Sequence, residues 1–216
     1  MADAKSKDVL TPYGKLSFCN LFTPRPPMDG KGDPRYGTNL IIPEAQMKTP
    51  AFKALQQAIL DCAKEFFGDK VDLKRLRLPI RKGAERDYAG YDDTNVFIAP
   101  WSKQKPGVVD KDGNEILIPD DVWAGQVARL SVRPFGYDNS GNKGVGLALN
   151  HVQIAIAEAP RLDGRKSAAD TFGKADAVDT DNLSDIFGLE AGDAGAGTAA
   201  SSSSAVEDEM DTLMGN

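Results

Sequence analysis

The sequence predicts a mainly β domain, an antiparallel five-stranded barrel with one helix and long loops, followed by a disordered acidic tail. Three observations carry this. Apolar residues alternate with polar ones in short runs between Gly14 and Ile156, and Gly- and Pro-rich segments separate the runs. Only one stretch, beginning at Thr49, shows the three- and four-residue spacing of a helix. Beyond Pro160 the chain turns to Ala, Gly, Ser and Asp, a composition that buries too little apolar surface to offset the entropy of ordering.

Taken in order, residues 1–12 are polar and predicted to be flexible. Gly14–Phe22 reads as a first strand, with Leu16, Phe18 and Asn20 on one side and Lys15, Ser17, Cys19 and Leu21 on the other. The Pro/Gly loop that follows excludes helix and central strand and carries Arg25, Lys31 and Arg35. Tyr36–Ile42 is a second strand, stopped by Pro43. Thr49 can cap the helix and Pro50 suits its first position. Phe52, Leu55, Ile59, Cys62, Ala63 and Phe66 form its apolar face, and Gly68 ends it. Asn95–Ala99 is a further strand. Val108–Ile118 reads as a hairpin turning at Asp112-Gly113; a calcium loop there would place Val108 at its first ligand position, so a turn is the better reading. Residues 127–157 form two strands around DNSGNKG. In the second, Val145, Leu147 and Leu149 share a face and Val152, Ile154 and Ile156 share the next, so the phase slips at Asn150-His151 and a β-bulge is expected. About five principal strands, one helix and long loops suit a barrel of the oligonucleotide/oligosaccharide-binding (OB) type over residues 13–160. The helix comes early for the plainest version of that fold.

Charge separates body from tail. The chain has 26 Lys and Arg against 32 Asp and Glu, a net of −6. From Ala175 onward there are ten acids and no cation; setting them aside leaves 26 cations against 22 acids, a net of +4 for residues 1–174. The acidity therefore belongs to the tail, and a nucleic-acid partner for the body stays open.

Nine cations fall between Lys70 and Lys105, with Tyr88, Tyr91 and Trp101 among them. On the strand from Val127, Leu130 and Val132 face one way, and Arg129, Ser131, Arg133, Phe135 and Tyr137 the other. Cations neutralise phosphates and rings stack on bases, so both segments suit a single-stranded nucleic acid. A solvated charged face is the plain alternative, because Asp72, Glu85, Asp87, Asp92 and Asp93 dilute the cations of the loop. The stacking candidates are Trp101, Tyr88, Tyr91, Phe135 and Tyr137, with Tyr36 behind them. The phosphate candidates are Arg81, Lys82, Arg86, Lys103, Arg129 and Arg133.

Catalytic constellations are missing from the sequence. His151 is the only histidine, and Cys19 and Cys62 stand far apart, so no zinc site or Ser-His-Asp triad can be assembled. Gly136–Lys143 has the glycine spacing of a phosphate loop, but Asn142 stands where Lys is required and two strands flank it. No cofactor is implied. The two cysteines read as free, buried thiols of a cytosolic protein, and neither a signal peptide nor a membrane span is read. An RNA-binding barrel, a metal-dependent nuclease and a protein-interaction module remain as alternatives.

One ordered set of segments resembles a known family. It comprises Leu16–Phe22, Tyr36–Pro43, Pro79-Ile80-Arg81-Lys82-Gly83, Tyr88-Ala89-Gly90, Phe97-Ile98-Ala99, Lys105–Asp110, Trp123-Ala124-Gly125 and Gly144–Gln153. In this set the chain resembles the single-stranded DNA-binding proteins of tailed bacteriophages, in the group with one OB barrel and an acidic C-terminus. The resemblance implies a non-catalytic barrel that coats single-stranded DNA during phage replication and recombination, in the cytoplasm of the infected host. It also implies that the tail, residues 161–216, recruits replication proteins such as a polymerase, a helicase/primase or a recombinase. The docking peptide expected there is Glu207, Asp208, Glu209, Met210 and Asp211 with Leu213 and Met214; unlike many such tails, it does not close on an aromatic residue. Self-association is left open.

Overall fold

The computed structural model describes residues 7–26, 32–139, 141–162, Gly164 and Thr171. The chain divides into two units, 1–166 and 167–216. The docking peptide at Glu207–Met214 lies outside the described residues, as does nearly all of the second unit.

The first unit is built on nine strands among the described residues: β1 (Val9–Leu10), β2 (Gly14–Arg25), β3 (Arg35–Pro43), β4 (Arg81–Lys82), β5 (Asn95–Ile98), β6 (Trp101–Ser102), β7 (Gly107–Val109), β8 (Val127–Asn139) and β9 (Asn142–Ile156). The pairings β8–β2–β3–β6–β9 return to β8 and so close a ring of five. This is the expected kind of barrel with two differences: the ring closes through Trp101–Ser102, while the strand expected at Asn95–Ala99 (β5) pairs with β3 off the ring, and β6 and β7 run parallel to β9. Strand β9 is the spine. Its one edge pairs with β8 along nearly its full length. Its other edge takes three short pieces in turn: Arg77 at Gly144, Trp101 at Ala148, and Gly107–Val109 at His151–Gln153.

The core fills the ring with Leu16, Leu40, Ile42, Leu130, Val132, Leu147, Leu149, Val152 and Ile154, all nearly fully buried. After the short helix α1 (Glu44–Met47), helix α2 (Pro50–Phe67) packs on β1, β8 and β9. Thr49 Oγ1 accepts the Phe52 N–H at 3.4 Å, Pro50 opens the first turn, and Gly68 (φ 91) ends the helix with its N–H on the Lys64 carbonyl at 2.7 Å. Phe52, Leu55, Ile59, Cys62 and Ala63 are buried; burying each large apolar side chain contributes about 1.5–3 kcal/mol. The predicted bulge is present: Ser131 pairs with His151 and Val132 with Leu149, leaving Asn150 over.

Several expectations are corrected. The N-terminal stretch is ordered from Val9, which pairs with Val132, because the Thr11 hydroxyl accepts the Leu130 N–H at 2.9 Å and ties the segment to β8. Phe66 is 52% exposed; the backbone of Gly136 leaves room for its ring at the barrel rim, where a β-carbon would fall 2.6 Å from Phe66 Cβ. Phe18 does not join Leu16 in the core, because the β2–β3 register breaks between Ser17 and Asn20 and turns it outward. Ile156 is exposed at the end of its strand. The body also runs past Pro160: the Leu162 N–H donates to the Ala124 carbonyl, and its side chain packs on Ile41, Tyr91 and Phe97.

Candidate nucleic-acid interface

The site is set by the outward faces of β8 and β9. On β8, Leu130, Val132 and Pro134 point into the core, and Arg133, Phe135 and Tyr137 point out. Their partners on β9 are Ala148, Gly146 and Gly144. These small residues form a low floor on which the rings lie. A β-carbon at Gly144 would fall 2.7 Å from Tyr137 Oη. Trp101 pairs with the same Ala148 from the other edge of β9 and meets Phe135 edge-on, with centroids 5.9 Å apart. Tyr137 follows Phe135 at 6.5 Å.

The facing wall is the segment Leu76–Arg81. It is held against β9 by the Arg77 N–H donating to the Lys143 carbonyl (3.0 Å) and the Val145 N–H donating to the Arg77 carbonyl (2.9 Å). Between the walls lies an open groove of about 910 Å³ lined by Arg35, Arg77, Arg81, Trp101, Phe135 and Tyr137, with Glu85 as its one acid. The Arg35 guanidinium stands 3.9 Å from the Trp101 ring centroid, and its buried Nε has no acceptor among the described residues. Arg81 is held by Glu85 at 2.8 Å, and that hydrogen bond keeps the Glu85 carboxyl below its ordinary pKa.

Of the predicted site residues, the groove brings together Arg81, Trp101, Phe135 and Tyr137. Arg129 and Arg133 lie further along the same face of β8, each with a partner: Arg129 Nε donates to Gln153 Oε1 at 2.8 Å, and Arg133 Nε to Asp8 Oδ1 at 2.7 Å. Lys103 is paired with Asp33 at 2.6 Å. Lys82 is exposed, and Tyr36 is half-buried on β3 opposite Ser102. The Arg86 guanidinium stands over the Phe97 ring at 5.8 Å. Tyr88 is 48% exposed and lies beyond the groove, against Phe18. Tyr91 is a correction. It is only 9% exposed, packs on Phe97 and Ile41, and its hydroxyl accepts the Asn39 Nδ2–H at 2.7 Å; a ring enclosed in this way has no face free for a base.

The groove also takes in Arg35, in sequence a cation of the Pro/Gly loop, and Arg77, one of the nine cations of residues 70–105 but not among the phosphate candidates. The alternation of β3 held a signal, since Arg35 shares a face with Gly37, and Gly37 pairs with Trp101. For Arg77 no such signal exists, because its place depends on an isolated bridge to Gly144.

The family described as "Enterobacter phage Enc34, ssDNA-binding protein" matches residues 7–183, more than half of the chain. The chain belongs to this family. Solved structures of phage single-stranded DNA-binding proteins share its fold. The protein of bacteriophage Enc34 in complex with ssDNA is 21% identical, with a TM-score of 0.59, over 70% of this chain and 88% of that one. The same Enc34 protein in another structure is 19% identical (TM-score 0.59), over 78% and 91%. Gp2.5 of bacteriophage T7 is 16% identical (TM-score 0.54), over 70% and 93%. No curated protein matches the chain. The groove described above is thus carried on the barrel of the Enc34 family, and among the described residues no helix is long and apolar enough to cross a membrane.

Proposed function

We propose that this chain binds and coats single-stranded DNA without sequence specificity during phage DNA replication and recombination, in the cytoplasm of the infected host and without catalysis. The observation that carries the reading is the groove in which Trp101, Phe135 and Tyr137 stand among Arg35, Arg77 and Arg81. Rings stack on any base, and arginines contact phosphates and release counterions. The buried Nε of Arg35, without an acceptor among the described residues, has one to gain from a phosphate oxygen.

The acidic segment 175–216 is the proposed contact for phage or host replication proteins, through Glu207, Asp208, Glu209, Met210, Asp211, Leu213 and Met214. Its ten acids and absence of cations also suit it to compete with DNA for the cationic groove. Deleting 175–216 then tightens DNA binding, most at low salt; equal affinity across salt overturns the competition.

The deciding experiment titrates a fluorescent dT oligonucleotide at two salt concentrations, with duplex DNA and RNA of the same length as controls. Tight, salt-sensitive binding of the single strand is expected. Preference for RNA or duplex, or no binding, overturns the reading. Labelled DNA incubated with the protein and magnesium should stay intact.

A further inference from the structure

Phe18 is the only non-glycine residue with positive φ (52°) among the described residues. It sits in the irregularity of β2 between the pairs Ser17–Asn39 and Asn20–Gly37. Bulky residues avoid this backbone region, and residues held there cluster at functional sites. Burial does not account for the strain, since the ring is 43% exposed. It meets Tyr88 edge-on at 5.1 Å, and Tyr88 is exposed as well. Behind them the rings are fixed. Tyr88 leans on Tyr91 at 6.3 Å, and Tyr91 is held by Asn39 and by Phe97 at 5.2 Å. Two exposed rings therefore stand on a rigid, buried base.

This pair adjoins the groove. Gly37 pairs with Asn20 on one side and Trp101 on the other, so the Phe18 bulge and Trp101 flank one point of β3. With strands about 4.8 Å apart, they stand roughly 10 Å from each other. Arg81, which lines the groove, lies 5.3 Å over the Phe97 ring, and Arg86 lies 5.8 Å over it. Cations thus span the interval between the two sets of rings.

We propose that Phe18 and Tyr88 are a second base-stacking platform, which continues the DNA track out of the groove past Arg81 and Arg86. The proposal rests on the reading of the groove as a single-stranded DNA site. It assigns the unusual backbone of Phe18 a role: the left-handed turn presents the ring outward where a regular strand would bury it.

Phe18→Gly tests this, because glycine adopts positive φ without steric cost. The variant removes the ring and relieves the backbone together. Wild type and variant are titrated with dT oligonucleotides of about 3 to 30 nucleotides, a range that brackets the ~4–16 nucleotides bound by an OB barrel. The expected result is an unchanged or higher Tm, unchanged affinity for the shortest oligonucleotides, and a roughly tenfold loss for the longer ones. Tyr88→Ser should give the same dependence on length. If both variants match wild type at every length while wild type binds DNA, the platform is overturned and the groove reading is untouched. If wild type binds no oligonucleotide, both readings fall. A lower Tm in Phe18→Gly with unchanged affinity also overturns the proposal, because it makes the ring structural.

Discussion

The Phe135 ring occupies the space that a side chain on Gly146 would need: a β-carbon there would fall 2.5 Å from Phe135 Cζ. The two residues are direct partners across β8 and β9, so the placement of the aromatic wall depends on a glycine with no chemistry of its own. Gly146→Ala is expected to lift the ring, to cost about 1–3 kcal/mol of stability as overpacking does, and to weaken oligonucleotide binding. Gly141→Ala meets nothing within 4 Å, but Gly141 has φ 88°, so that variant should lower the melting temperature through backbone strain while leaving binding unchanged. Thermal melts and dT titrations of both variants check this.

Trp101 and Tyr91 separate stacking from support. Trp101→Ala should cost about 1–3 kcal/mol of binding, roughly 5- to 150-fold in Kd. Tyr91→Phe removes the hydroxyl that accepts from Asn39, so it should lower stability by about 1 kcal/mol and leave Kd alone. A loss of affinity in Tyr91→Phe would return that ring to the interface.

The groove arginines should set the salt dependence. Each of Arg35→Ala, Arg77→Ala and Arg81→Ala is expected to reduce the slope of log K against log salt by about 0.7. Arg35→Lys should recover the slope but not the full affinity, because a lysine cannot reproduce the flat guanidinium over Trp101.

Asp8 holds Arg133 at 2.7 Å, and that hydrogen bond, foremost, keeps the Asp8 carboxyl below its ordinary pKa. Asp8→Asn removes the opposing charge. If Arg133 meets the strand of DNA as it leaves the groove, the variant binds a few-fold tighter with a steeper salt slope. Identical titrations for Asp8→Asn and wild type would take Arg133 off the track.

Burial pushes the Cys19 thiol up from an ordinary 9.0 to about 11. In the folded protein it therefore stays protonated where the unfolded chain has begun to ionise. The stability it contributes is full below pH 9 and falls as pH rises through about 11. Cys19→Ala should flatten the melting temperature over that interval. Thiol-specific reagents at pH 8 should label native protein slowly and unfolded protein fast, since the thiolate is the reactive form.

Legibility in the sequence followed the range of the interactions. The cap at Thr49, the stop at Gly68 and the bulge at Asn150 depend on a few consecutive residues, and each could be read. Trp101, Phe135 and Tyr137 were legible as rings near cations. Their grouping depends on Trp101 and Arg133 both pairing with Ala148, a contact among three segments far apart in the chain. Tyr91 looked equivalent to Tyr88, because composition does not distinguish a ring with its hydroxyl satisfied inside a cluster from one left in solvent. Phe18 was placed with Leu16 because alternation assumes an unbroken register, and the break at Ser17–Asn20 reverses it.

By itself the sequence determined the mainly β class, the long strands β2, β3, β8 and β9, the helix, and the separation of a cationic body from an acidic tail. Periodicity, turn residues and net charge are local or additive properties, and a linear chain displays them directly. The tertiary structure decided which cations face the rings. Arg35 and Arg77 enter the groove, whereas Lys103, Arg129 and Arg133 are held by partners elsewhere. The reason is physical: a side chain's neighbours are set by strand register and barrel closure, which bring Gly144 beside Arg77 and Gly37 beside Trp101, and no spacing along the chain encodes those meetings.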